Sequence, residues 1–141
     1  MRRAQNVWKL LDFAEDGDGR GHAKVLNGDD LEVELNCYTP SAENFLHRHV
    51  GGSSQLFFVL QGQATLTVVD SADERHELVL EAGDTALLAE SEYYKLRNSG
   101  DTNLVVYRVR SPYEGVVLFE EDGRVVSEDE RADIEAGYER G

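Results

Sequence analysis

The 141-residue chain has one cysteine, Cys37, so it forms neither an intramolecular disulfide nor a cysteine-based zinc finger. Only two residues are proline and 40% are hydrophobic, which argues against wholesale disorder. Basic residues are scarce: 14 Lys plus Arg stand against 28 Asp plus Glu, for a net charge of −14. No basic face is then expected for nucleic-acid phosphates or an anionic membrane surface. Long apolar runs are missing too, and nothing approaches the ~18–20 residues that span a bilayer. MRRAQNVWKLLDF has its apolar stretch broken by Lys9 and Asp12, unlike a secretory signal. The expectation is a cytoplasmic protein, with enough chain for one domain and its own core.

What the chain does have is a period of two. LEVELNCY alternates Leu31, Val33, Leu35 and Cys37 against Glu32, Glu34, Asn36 and Tyr38, which reads as a half-buried strand. Short runs rich in β-branched and aromatic residues follow at 55–61, 63–69, 76–80, 85–89, 93–98, 103–109 and 116–119, separated by Gly, Ser, Asp and Pro turn signals. Short strands at about ten-residue spacing, with no helical pattern between them, predict an all-β sandwich or barrel. The segment before Asp30 reads as an apolar lead (Val7, Trp8, Leu10, Leu11, Phe13) and then a Gly- and Asp-rich loop. In that loop Asp16 and Asp18 lack the later Glu of a calcium loop and suggest a solvated turn. Residues 120–141 form an acidic tail, and Ser127 with Glu130 has capping-box spacing for a short helix from about Glu128 to Tyr138.

The sharpest chemical feature is His47-Arg48-His49. In a strand, residues two apart share a face, so two imidazoles there can converge on one cation. Phe45 lies on the same face, and Gln55 follows shortly after. An isolated His-x-His is equally compatible with two histidines that bind nothing. His76 sits among charges that mark an exposed turn, and His22 lies in the glycine-rich N-terminal loop. Cys37 reads as a small buried hydrophobe. Arg108 and Arg110 share a face; they either clamp a carboxylate inside a barrel or, the favoured reading, pair with acids on the outside.

The stretch FLHRHVGGSSQLFFVLQGQATL resembles the first motif of the cupin superfamily, G-x5-H-x-H-x(3–4)-E-x6-G. His47 and His49 match its histidines, and Gln55 precedes Gly62 as the family's glutamate precedes its glycine. GDTALLAESEYYKLRN is similar to the second motif, G-x5-P-x-G-x2-H-x3-N, with Gly83 and Asn98 at its ends. The departures are as informative. Ser41 stands at the opening glycine, and the gap from His49 to Gln55 is five residues, one longer than usual, and Gly51-Gly52 can absorb the extra one. Ala89 and Ser91 replace a proline and a glycine, and Tyr94 takes the place of the last histidine ligand.

The resemblance implies a cupin-type double-stranded β-helix, a jelly-roll barrel with a core over about 30–119 and a short C-terminal helix. It also implies a divalent metal ion (Fe, Zn, Ni or Mn) on His47, His49, Gln55 and Tyr94. Tyr94 and His49 are then the catalytic candidates, and Phe45, Phe57, Val59 and Leu66 the pocket walls. The function implied is a metal-dependent enzyme acting on a small carbonyl- or carboxylate-bearing molecule. The alternatives are a ligand-binding barrel without catalysis and a metal-free barrel that shifts a proton. A homodimer is expected, with Phe58 and Leu60 as outward apolar positions. Residues 44–69 contain no Asp or Glu, where the chain's average gives about five, so the acidity belongs to the surface.

Overall fold

Alternating runs with closely spaced turns satisfy their backbone N–H and C=O groups through ladders between neighbours. The computed structural model describes residues 2–50, 54–111 and 115–118, with Val50 and 115–118 described by backbone alone. It contains ten strands: β1 (Arg20–Asn27), β2 (Glu32–Tyr38), β3 (His47–Val50), β4 (Gln55–Gln61), β5 (Gln63–Val69), β6 (Arg75–Glu81), β7 (Thr85–Leu88), β8 (Tyr93–Asn98), β9 (Leu104–Arg110) and β10 (Gly115–Leu118). They form two five-stranded antiparallel sheets, β1-β2-β9-β4-β7 and β10-β3-β8-β5-β6. Facing each other, the sheets make the jelly-roll form of a double-stranded β-helix. The expected C-terminal helix and the Gly51-Gly52 bulge lie outside the described residues.

Two cores result. Between the sheets lie Tyr38, Phe57, Val59, Leu66, Val68, Leu88, Tyr94, Leu96 and Val106, all buried. On the outer face of the first sheet, Val25, Val33, Leu35, Cys37 and Val105 pack under Val7, Leu10, Leu11 and Phe13 of the N-terminal segment. That second layer corrects the reading of β2 as half-buried. Both of its faces are covered, and its polar side (Glu34, Asn36, Tyr38) points into the barrel. Cys37 is buried, as expected, and burial raises its thiol pKa.

β1 is the element that periodicity misses. Arg20, Gly21, His22 and Lys24 carry no apolar alternation, yet the stretch pairs with β2 from Arg20↔Tyr38 to Asn27↔Glu32. Tertiary contact makes the strand: the N-terminal segment crosses Gly21 so closely that a Cβ there would lie 1.5 Å from the Asp12 carbonyl oxygen. Asp16 and Asp18 sit in a turn before it, and Asp18 accepts the Arg20 amide at 3.1 Å.

Of the two positions expected to face outward, Leu60 is half-buried against the second core, covered by the chain itself. Phe58 is half-buried. The exposed apolar pair on that sheet is Leu56 and Leu87, cross-strand neighbours that are 38% and 70% exposed.

Candidate active site

At one end of the barrel the interior turns polar. The spacing of His47 and His49 on β3 sends both rings inward, with centroids 5.0 Å apart and planes at 84°. His47 is buried; its Nδ1 donates to the Phe45 carbonyl at 2.5 Å, which leaves Nε2 as the acceptor nitrogen. β3 pairs with β8 at His47↔Tyr94, so the Tyr94 ring lies 4.4 Å from that of His47. The Tyr94 hydroxyl reaches His49 Nε2 at 3.0 Å. Gln55 enters from β4, and its buried Oε1 has no hydrogen-bond partner among the described residues. His47, His49 and Tyr94 therefore meet in space although they come from two strands, and Gln55 stands opposite Arg110 in the ladder of the other sheet.

The opposite wall is built from β2 and β9, which pair Glu34 with Arg108 and Glu32 with Arg110. Arg108 and Arg110 are 5% and 6% exposed and point inward, which corrects the preference for outward ion pairs. A single oxygen, Glu34 Oε2, accepts from Nη2 of Arg110 at 2.9 Å and, very closely, from Nη2 of Arg108. His22 Nε2 donates to the same oxygen at 2.7 Å. Each arginine turns its other nitrogen toward the histidine wall. Arg108 Nη1 donates to the Tyr94 hydroxyl at 3.2 Å, and Arg110 Nη1 lies 3.3 Å from His49 Nε2. Since guanidinium only donates, His49 Nε2 is an acceptor here, and the Tyr94 hydroxyl donates to it.

Protonation states follow from burial and from these charges. Desolvation pushes His47 down to about 3, against the bonding at Phe45 and with help from the two arginines. Burial likewise drives His49 far below the ordinary imidazole range, reinforced by His47, Arg110 and Arg108. Both rings are neutral near pH 7. Burial by itself would raise Glu34, but the His22 hydrogen bond and the charges of Arg108 and Arg110 outweigh it and hold the carboxyl well below the usual range.

The remaining candidates fall elsewhere. Phe57, Val59 and Leu66 are fully buried in the inter-sheet core, with the Phe57 ring 5.2 Å from Tyr94. Phe45 is 47% exposed; it stands at the rim, its ring 5.5 Å from the Arg20 guanidinium carbon, and does not wall the interior. His76 is exposed and bonds Asp70 at 2.8 Å in the β5–β6 hairpin. There Asp70, Glu74 and His76 bring ligand atoms within 4.8 Å of one another. The turn itself accounts for that grouping, because Asp70 Oδ1 accepts the amides of Ala72 and Glu74. The residues at this end of the barrel that sequence reasoning misses are Glu34 and His22. Alternation puts Glu34 on the polar face of a strand and composition puts His22 in a loop, and neither carries a local signal to the contrary.

In kind, two imidazoles, an amide oxygen and a phenol suit a divalent ion such as Zn, Fe, Ni or Mn. In charge they suit it poorly. None of the four is a carboxylate, Glu34 is engaged by His22, Arg108 and Arg110, and guanidinium nitrogens contact the atoms of His49 and Tyr94 that an ion would use.

The family model described as the Cupin domain matches residues 35–110. No curated protein matches the chain. Among solved structures, TT1209 from Thermus thermophilus is 17% identical with a TM-score of 0.67, over 77% of this chain and 96% of that one. A conserved protein with a double-stranded β-helix domain from Klebsiella pneumoniae is 22% identical with a TM-score of 0.71, over 86% and 100%. An oxalate oxidase solved with the substrate analogue glycolate is 16% identical with a TM-score of 0.69, over 85% and 67%. At these identities the likeness is one of fold alone.

Proposed function

This chain belongs to the cupin family, and from that premise we propose that it is an enzyme moving a proton on a small carbonyl- or carboxylate-bearing molecule at the polar end of its barrel. The observation that carries this reading is the buried 3.0 Å hydrogen bond between His49 Nε2 and the Tyr94 hydroxyl. A neutral imidazole beside a phenol is an acid–base couple: as substrate enters, the hydroxyl turns its proton from Nε2 to the substrate oxygen, and Nε2, relieved of that bond, accepts a proton from substrate carbon. Arg108, bonded to the same hydroxyl, favours the phenolate that forms as Tyr94 gives up its proton. Phe57 and the His47 ring hold the Tyr94 ring in place.

A second reading keeps a divalent metal, and Gln55 Oε1, without a hydrogen-bond partner among the described residues, favours it. His47, His49, Gln55 and Tyr94 would hold the ion, which when bound would supply Lewis-acid polarisation of a carbonyl.

One experiment tests both readings. Purified protein, before and after chelation, is incubated in D2O with a panel of small keto acids, hydroxy acids and aldehydes, and carbon-bound deuterium is followed by NMR. The expected result is exchange that survives chelation and falls at least a hundredfold in Tyr94→Phe and His49→Ala, the range a general acid or base contributes. Exchange that vanishes on chelation and returns with metal moves the assignment to the second reading. No exchange above background in any state overturns both.

A further inference from the structure

We infer that the outer face of the first sheet, along β9, β4 and β7, is the surface on which a second copy of this chain docks. The inference is independent of the proposed function.

Charge is distributed unequally over the two outer faces of the barrel. On the second sheet the ladders set Arg75 opposite Val69, Glu77 and Lys95 on either side of Thr67, and Arg97 opposite Thr65. These positions alternate with Leu66 and Leu96 of the core and so point away from it. Lys95 and Arg97 pair there with Glu43, at 3.8 and 4.0 Å. That face is built for water. On the first sheet one outward row reads Val33, Val109, Leu56 and Leu87 across four strands, and the next reads Leu35, Tyr107, Phe58 and Thr85. Among the described residues, no charged side chain stands at an outward position on any of its five strands, in a chain of which 30% is charged.

The N-terminal segment covers this face unevenly. Val33, Leu35 and Val105 are buried, and Val109, Tyr107 and Phe58 are half-buried. Leu56 and Leu87, at the β7 edge, stand largely open. Apolar side chains left in water forgo the stabilisation of burial, and a contiguous strip of them marks a surface that is covered in use.

The sign of the charge says by what. A cationic partner would be drawn to the acids that give the chain its −14, and has no use for a face without charge. A second copy carries the same −14 and is repelled wherever charged faces approach. This strip is the described surface on which two copies meet with least repulsion. A twofold axis through it sets Leu56 and Leu87 of one protomer against the same pair of its partner, so one apolar strip serves both sides. Three strands about 4.8 Å apart and about five residues at 3.3 Å make an apolar centre of roughly 15 Å by 15 Å. A specific interface takes about 800 Å² from each partner, so a polar rim supplies the remainder and the pairing is reversible.

The test is sedimentation of the purified chain from about 1 to 200 µM, in about 50 and 500 mM salt. Wild type is expected to go from monomer to dimer with a Kd on the order of 10 µM, and to pair at least threefold more tightly at high salt, where like charges are screened. Leu87→Glu changes a side chain that is 70% exposed and is expected to keep the fold, checked by circular dichroism, while weakening the dimer at least tenfold. Val79→Glu adds the same charge on the outer face of the second sheet, at a residue 60% exposed, and is expected to leave pairing within twofold of wild type. A monomer at every concentration overturns the inference and gives the strip to a different protein. A folded Leu87→Glu that pairs as wild type does, or a Val79→Glu that weakens pairing equally, overturns it by moving the interface elsewhere. Pairing that salt weakens overturns it as well, since ion pairs would then hold the copies together.

Discussion

Ser41 has φ of +72°, in the left-handed region where a side chain clashes with its own backbone and glycine does not. The cupin motif places a glycine here, and this chain accepts the strain, holding the turn through the Ser41 amide on the Asn98 carbonyl at 3.1 Å. Ser41→Gly is therefore expected to raise unfolding free energy by about 1 kcal/mol, less the entropy glycine adds to the unfolded chain. Denaturant titration checks this, and a loss of stability would mean the strain is not where φ places it. At this scale the sequence is most legible where a residue's role depends on its own neighbours along the chain. His47 and His49 share a face because they are two apart, and Gly62 at φ +86° has no room for a Cβ, which would meet the Asn103 carbonyl at 2.8 Å. Glu34 and Arg108 cannot be read this way, because an acid and an arginine on alternating strands look the same whether they pair inside a barrel or outside it. The covering of the outer face by the N-terminal segment, a long-range fact, decides between the two.

The same segment governs the legibility of whole elements. The strands from β4 onward are visible because one or both of their faces alternate, and their observed ends agree with the expected ones to within a residue. β1 reads as loop because its inward residues are Arg20 and His22 and its outward position is glycine. Its strand character depends on what lies on top of it. Gly21→Ala places a methyl group inside the van der Waals radius of the Asp12 carbonyl, so the crossing segment must lift. A stability loss of about 3 kcal/mol is expected, at the upper end for overpacking. The only tryptophan, Trp8, stands on that segment in a one-turn 3₁₀ helix, Val7–Lys9, capped by Asn6. Its fluorescence should report the lifting before the barrel itself unfolds. If the tryptophan signal and the strand circular dichroism are unaltered in Gly21→Ala, the packing described for β1 is wrong.

For the molecule as a whole, the buried neutral histidines set the response to acid. An unfolded chain takes up protons on His47 and His49 near the ordinary value of 6.5, whereas the folded chain holds His47 unprotonated down to about 3 and His49 lower still. Their contribution to stability is thus complete above pH 6.5 and is lost as pH falls through the interval below it. Glu34 acts in the same direction from a lower start. Its folded pKa lies below the ordinary 4.5, so its contribution is present above that value and declines beneath it. Each proton taken up only on unfolding gives a slope of about 1.4 kcal/mol per pH unit. Denaturant titrations between pH 7.5 and pH 4.5, with chelator present, should show stability falling steadily with acid. A flat profile across that range would contradict the buried, neutral state of both rings.

The arrangement of charge also has a kinetic side. The protein carries a net −14, yet the end of its barrel holds two buried arginines, Arg108 and Arg110. An anion approaching from solution first meets a repulsive field that reaches about one Debye length, roughly 8–10 Å at ordinary ionic strength, and is attracted only once inside it. Added salt shortens the repulsive range more than it weakens the buried contacts. Loading of the site is then slow in dilute buffer and faster as salt rises, the inverse of the electrostatic steering that most charged sites show. The acidic exterior thus behaves as a gate of fixed charge in front of the buried arginines, one that salt opens.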